Sequence, residues 1–427
     1  MKLLFDSVLL PPPFPAVPHF VTVEGKYITK IGTERPQGQY DRVIAGAGCL
    51  LSPGLVNAHT HAAMTIFRGY GEDLPLDRWL NERIFPAEDR LTENAVYLGT
   101  ELSIAEMLKG GITSFSDMYF FCDATARAVA ECGIKANLSR SIVSFDEDAD
   151  YRTDPRVLEG LSLFREWNGA ENGRILVDLS LHAEYTNKAA AVRTVAEEAA
   201  RLDARVHIHL SETAKEHNEC LARHGVTPTG FFLRNGLFEV PVTAAHCVYL
   251  TDEDRAVLAA HKATAVHNPI SNLKLGSGVM PLEATLAAGV NVALGTDGAA
   301  SNNRLDLLRE MQTALLLAKG TTGRPDCLTA ADALPLATAN GAAAQGRYDT
   351  GRIAVGACAD LALFDLSGVH NLPLVSPEGA LAYSAASSDV KMTVVDGRIL
   401  YENGEFCALD VEKLKAEFAE MRAHYFD

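Results

Sequence analysis

Apolar positions in the middle of the chain gather into short β-rich runs. Each run ends in a polar residue, and a longer Ala/Leu/Glu-rich stretch of helical period follows it. Eight runs fit this description: 55–61 (LVNAHTH), 112–118 (ITSFSDM), 135–142, 175–182 (ILVDLSLH), 205–210 (RVHIHL), 242–247 (VTAAHC), 263–268 (ATAVHN) and 291–297 (NVALGTD). The intervening segments, such as 188–202 (KAAAVRTVAEEAARL), are rich in good helix formers. Alternating β and α units predict a parallel sheet with right-handed crossovers. Eight of them predict a closed (β/α)₈ barrel of the TIM type, an α/β fold, with a doubly wound sheet as the structural alternative.

The chain ends follow a different pattern. Residues 1–52 hold short β-like runs, 20–23 and 27–31, broken by Gly and Pro. Runs 361–364 (LALF), 392–395 (MTVV) and 399–401 lie near the other end, again with Gly turns between them. Neither end has enough strands to stand alone. Together, 1–53 and 353–427 are expected to form one small composite β-sandwich beside a catalytic barrel of 54–352. Residues 411–425 read as a charged amphipathic helix.

Charge narrows the partners. With 38 Lys+Arg against 55 Asp+Glu, the 427 residues carry a formal net charge of −17, which disfavours a nucleic-acid partner. No apolar run approaches the ~20 residues of a membrane span, and the opening apolar residues are soon broken by Asp6 and Pro11-Pro12-Pro13. The eight cysteines include no C-x-x-C pair, as expected of thiols in a reducing cytoplasm, and Cys247 is expected to be a core residue. A homo-oligomeric assembly is left open.

The run ends carry the chemistry. They hold His59 and His61, Asp117, Arg140, His182, His209, His246, His267 and Asp297. Barrel active sites form at the mouth where the C-terminal strand ends converge. In His59-Thr60-His61 the two imidazoles share one strand face, which suits a divalent metal. With His209 and Asp297 they would make a four-ligand site for one ion, with room for a water. A bridged two-metal site needs a carboxylated Lys at a strand end. The fourth run ends in His182 instead, and Lys188 lies well past it. His207 shares a face with His209, so either can be the ligand. His209 is preferred because Glu212 follows three residues later, where a carboxyl group can shuttle protons. Other templates fail. His182-Ala183-Glu184 lacks the P-C-x-x-C half of a cytidine-deaminase motif. No phosphate loop, H-E-x-x-H or G-x-S-x-G element is present, and Gly46-Ala47-Gly48 does not complete a dinucleotide fingerprint.

The segments PGLVNAHTH (53–61), FRGYGEDLPLDRWL (67–80), FPAEDRLT (85–92), HLSET (209–213), AAHC (244–247), HNPISNLKLGSG (267–278), LGTDGAASNN (294–303) and GRIAVGACADLALFD (351–365) resemble the amidohydrolase superfamily. More narrowly, they resemble its methylthioadenosine/S-adenosylhomocysteine deaminase branch. The resemblance covers nearly the whole chain. It implies one divalent ion, zinc or iron, and hydrolytic deamination of the adenine ring of methylthioadenosine, S-adenosylhomocysteine and related adenosines. It implies that Glu212 protonates N1 of the purine and that His246 and Asp297 take or orient the water proton. His182 would meet the purine edge, Ser301 would contact N7, Trp79 would pack near the nucleoside and Glu88 would hold the ribose hydroxyls. Arg140 and Arg152 would receive a homocysteine carboxylate, and His267 would support the ligands without joining them. Rival activities are guanine or cytosine deamination and triazine chlorohydrolysis, which keep the metal set and change the pocket. A non-catalytic barrel scaffold would be expected to lack metal ligands that are all present here.

Overall fold

A computed structural model describes residues 1–426. All eight expected runs form strands: β1 (Leu55–Thr60), β2 (Ile112–Tyr119), β3 (Lys135–Arg140), β4 (Ile175–Val177, resumed after Asp178 as Leu179–Leu181), β5 (Val206–Leu210), β6 (Val242–His246), β7 (Thr264–His267) and β8 (Asn291–Leu294). Neighbouring strands pair in parallel from β1 through β8. The ring closes between β8 and β1. There the Asp297 N–H donates to the His59 carbonyl (3.0 Å), and the Thr296 N–H donates to the Asn57 side-chain oxygen (3.0 Å). Gly295 makes this approach feasible, since a Cβ there would lie 2.8 Å from the His59 carbonyl oxygen. The fold is a (β/α)₈ barrel with a β-rich unit beside it.

Helix Ala189–Leu202 illustrates why the intervening segments form helices. Its buried Ala191, Val192, Val195, Ala196 and Ala199 make one apolar stripe against the barrel. Each Val contributes about 1.5–3 kcal/mol by burial. Helix Glu93–Lys109 starts at Thr92, whose hydroxyl accepts the Ala95 N–H (3.2 Å) and satisfies one free donor of the first turn.

Two sheets lie beside the barrel. One orders Tyr27–Gly32, His19–Glu24, Lys2–Val8 and Arg42–Ala45. The other orders Glu405–Phe406, Arg398–Glu402, Val390–Val395, Leu361–Asp365 and Cys49–Pro53, so both chain ends share it. Leu3, Phe5, Val21, Leu51, Leu363 and Met392 pack between the sheets. At the start of β3 the buried Lys135 ammonium lies 2.6 Å from Asp360 and 2.7 Å from Asp396, which joins the barrel to this unit. The last helix, Val411–Phe426, lies along Glu93–Lys109. The Tyr425 hydroxyl accepts the Thr92 N–H (3.1 Å) and donates to the Arg90 carbonyl (2.9 Å). Among the described residues no helix is long and apolar enough to cross a membrane, and no cysteine is in a disulfide; Cys247 is buried as expected.

Candidate active site

The strand ends bring the expected histidines together. His59 Nε2 lies 3.5 Å and His61 Nε2 3.3 Å from Asp297 Oδ1, while His209 Nε2 lies 3.3 Å from His61 Nε2. Two overlapping donor sets converge within 4.8 Å: His59, His61 and Asp297, and His59, His209 and His246. Each ring is aimed by its other nitrogen. The His61 Nδ1–H donates to the Met118 carbonyl (2.5 Å), and the His209 Nδ1–H donates to the His182 carbonyl (2.8 Å). That arrangement leaves both Nε2 lone pairs facing the cluster, as metal ligands require.

His59 Nε2 is buried and has no hydrogen-bond partner. A buried nitrogen left in this state is costly unless something accepts its lone pair. The chemistry of the donor set, three imidazoles and one carboxylate, fits a divalent ion. His207, on the same face of β5 as His209, turns its Nε2 to His59 Nδ1 at 3.0 Å.

Electrostatics separate the groups. Burial drives the His59 imidazole down to about 3 and His209 well below the ordinary histidine range, so both are neutral donors. Burial pushes the Asp297 carboxyl up, but the His59 contact and the charges of His61 and His246 outweigh it and hold it well below the usual range. The Ser271 and Ser301 hydroxyls both donate to Asp297 Oδ2 (2.6 Å each). Glu212 behaves oppositely, its carboxyl raised mainly by burial. It accepts the Ser277 hydroxyl (3.2 Å) and lies 3.8 Å from His246 Nε2. The His246 imidazole is lowered by burial, but Glu212 and Asp297 more than reverse this. Its Nδ1–H donates to the Asn272 side-chain oxygen (2.8 Å).

The backbone is bent to deliver these side chains. Ser211, His246, Cys247 and Asp297 all sit at positive φ (48°, 73°, 54° and 59°), a conformation that disfavours residues with a Cβ. Such strain typically costs about 1–3 kcal/mol per residue and collects at functional sites.

A cavity of about 520 Å³ opens over the cluster. Trp79, Glu88, His182 and Glu212 line it, as expected, with His61, His209, His246 and Asp297 at its floor. Burial pushes the Glu88 carboxyl up to about 7, against the Tyr119 hydroxyl, which donates to it at 2.7 Å. Trp79 and Glu88 are nine residues apart, which in one α-helix would place them on opposite faces, about 180° apart. A π turn at Leu80–Ile84 intervenes, where Pro86 has no N–H to bond back to Glu82, and both residues reach the cavity.

Three of the expected residues do not line this cavity. Arg140 points out of the barrel because β3 alternates, with Asn137 and Ser139 facing in. Its guanidinium pairs with Glu159 (2.6 Å). Arg152 is exposed; its guanidinium pairs with Glu197 (2.9 Å) on helix Ala189–Leu202, and its backbone N–H donates to the Asp150 carboxylate (3.1 Å). Ser301 lies one helical turn past Asp297, and its hydroxyl is held under that carboxylate rather than facing the cavity. Tyr119, Asn272, Ser277 and Glu216 were missed. Of these, Asn272 and Ser277 lie inside the HNPISNLKLGSG segment, and Glu216 accepts the Ser211 and Glu212 N–H groups (3.0 and 2.7 Å). His267 is buried, and both its ring nitrogens lack hydrogen-bond partners.

Residues 50–400 match the model of the Amidohydrolase family. The chain belongs to that family. A 5-methylthioadenosine/S-adenosylhomocysteine deaminase of Moorella thermoacetica is 46% identical over 89% of this chain and 88% of its own. A 5'-deoxyadenosine deaminase of Methanothermobacter thermautotrophicus is 43% identical over 94% and 93%. Among solved structures, an adenosine deaminase from Xanthomonas campestris with bound zinc superposes with a TM-score of 0.93 at 34% identity, covering 99% of this chain and 98% of that one. Family and relatives together make this amidohydrolase a hydrolytic deaminase.

Proposed function

We propose that the protein deaminates the adenine ring of methylthioadenosine, S-adenosylhomocysteine and related adenosines, giving the inosine-type product and ammonia. The observation that carries this reading is the convergence of His59, whose Nε2 makes no hydrogen bond, with His61, His209 and Asp297 beneath a cavity that also holds Glu212. The names of the relatives supply the substrate class. His59, His61, His209 and Asp297 would hold one divalent ion, zinc in the first instance. When bound, such an ion lowers the pKa of water from about 15.7 toward about 7 and so provides a nucleophile at neutral pH. The barrel, 54–352, is the catalytic domain and 1–53 with 353–410 form the composite domain, while the last helix, Val411–Phe426, expected in that domain, packs on the barrel helix Glu93–Lys109 instead. Acidic composition and unpaired thiols favour the cytoplasm.

Glu212, whose carboxyl is shifted upward mainly by burial, gives its proton to N1 as water oxygen bonds to C6. His246 and Asp297 take the water proton and pass it to the exocyclic amine, which leaves as ammonia. The remaining C6 hydroxyl proton returns to Glu212, so the carbonyl and the N1–H of the product are formed and Glu212 is restored. His182 meets the purine edge, Trp79 packs beside the nucleoside and Glu88, with Tyr119, holds the ribose hydroxyls.

Ammonia release from adenosine, methylthioadenosine, S-adenosylhomocysteine, guanine and cytosine tests the reading. Release from the adenine nucleosides is expected. Release confined to guanine or cytosine would overturn it.

A further inference from the structure

We propose that Thr186 fixes the tautomer of His182, so that His182 presents an N–H to the cavity and selects a base with a ring-nitrogen lone pair facing it. The inference rests on the adenine-nucleoside reading above and names what sets the donor at the purine edge of that site.

His182 follows β4 and lines the cavity, and the buried Thr186 closes the 3₁₀ turn Glu184–Thr186 just beyond it. The Thr186 hydroxyl oxygen lies 3.0 Å from His182 Nδ1, which leaves Nε2 as the ring nitrogen open to a ligand. Either the hydroxyl or Nδ1 can donate in this pair, and the neighbouring groups decide which. A hydroxyl has one hydrogen and two lone pairs. One lone pair accepts the Ala183 N–H (3.1 Å). Two acceptors are in reach of the hydrogen: the Ala183 carbonyl (3.2 Å) and His182 Nδ1. That carbonyl already accepts the Asn187 side-chain amide (3.0 Å) and the Thr186 backbone N–H (3.3 Å), which fills both its lone pairs. The hydroxyl hydrogen therefore goes to Nδ1. An imidazole with its lone pair on Nδ1 carries its hydrogen on Nε2.

The backbone holds the ring in place. The His182 N–H donates to the Ile142 carbonyl (2.9 Å), and the His182 carbonyl accepts both the backbone N–H and the ring N–H of His209 (2.9 and 2.8 Å). Thr186 thus acts through His182 and is a positioning residue. Adenine offers lone pairs at N1, N3 and N7. Glu212 serves N1 in the reading above, so N3 or N7 is the partner for His182. A C–H in that place would leave the donor unpaired.

Two measurements on the metal-loaded protein test the inference. The first is the nitrogen-15 spectrum of the histidine rings, with His182 assigned by its disappearance in His182→Gln. The hydrogen is expected on Nε2 in wild type and in Thr186→Ser, and redistributed toward Nδ1 in Thr186→Val, whose methyl cannot donate. A hydrogen on Nδ1 in wild type would overturn the inference. The second compares adenosine as substrate with 3-deazaadenosine and 7-deazaadenosine as competitive inhibitors, each of which replaces one ring nitrogen by C–H. Thr186→Val is expected to raise KM for adenosine by about three- to tenfold, the worth of one hydrogen bond, with Thr186→Ser near wild type. The inhibition constant of the analogue that keeps the acceptor should rise in parallel, while that of the analogue that lacks it should change by less than about twofold. An equal rise for all three compounds would give Thr186 a purely structural role, and no rise for any would remove its role altogether; either overturns the inference. Failure of the underlying reading shows separately. If wild type releases no ammonia from adenosine, that reading falls, and the substrate half of this inference with it, whatever the ring spectrum shows.

Discussion

His207 Nε2 stands 3.0 Å from His59 Nδ1, deep in the barrel, while His209 on the same strand face turns its Nε2 to within 3.3 Å of His61. On the proposed metal set, His207 would orient a ligand and His209 would supply one. Loss of an orienting group typically costs about 10–100-fold in metal affinity or activity. His207→Ala is expected to fall in that range and to regain activity with excess metal. His209→Ala should lose bound metal outright. Metal content and turnover measured on both variants check the order, and a reversed order would exchange the two roles.

Glu212 differs from the ligands in carrying a raised carboxyl beside His246. Glu212→Gln should keep its metal and lose about 10²–10⁴-fold in kcat, the usual contribution of a general acid–base group. Metal analysis and kinetics on the same sample make the comparison. Near-normal turnover by a metal-loaded variant would show that another group moves the proton.

Stability should depend on pH through two buried carboxyls outside the donor cluster. Burial pushes Glu310 up to about 8 and Glu216 up to about 7, both from 4.5. A raised carboxyl stabilises the fold fully below its unfolded value, and that contribution is lost as pH rises through its folded value. The melting temperature should therefore fall as pH rises from about 4.5 to about 8. Glu310 accepts the Ile270 N–H (3.1 Å) and the Asn302 amide (2.6 Å), bridging the segments after β7 and β8. Glu310→Gln cannot ionise, so its melting temperature should fall less steeply over that interval. Identical slopes in melts of variant and wild type would contradict the assignment.

Much of this molecule was legible in its sequence, for identifiable reasons. The eight barrel strands are buried on both faces and so read as apolar runs ending in polar residues. Strand alternation also placed His59 and His61 on one face. The same alternation, applied at Arg140, would have pointed it outward, as its Glu159 pairing confirms. The strands Lys2–Val8, Arg42–Ala45 and Cys49–Pro53 were not singled out. Arg42–Ala45 and Cys49–Pro53 are short, and pairing between residues 49–53 and 361–365 joins segments more than 300 residues apart, which no local pattern encodes. Tyr119 followed a run end by one residue, and its bond to Glu88 depends on the π turn at Leu80–Ile84. The choice between His207 and His209 needed the third dimension, because both share one face of β5.

The central claim is a single metal ion serving a hydrolytic deaminase, and a metal titration tests it most directly. Protein stripped with chelator is reconstituted with zinc from zero to two equivalents per chain, and ammonia release from methylthioadenosine is measured at each step. The account predicts activity rising in proportion to metal and levelling at one equivalent. Full activity in the stripped protein, or a plateau only at two equivalents, would contradict it.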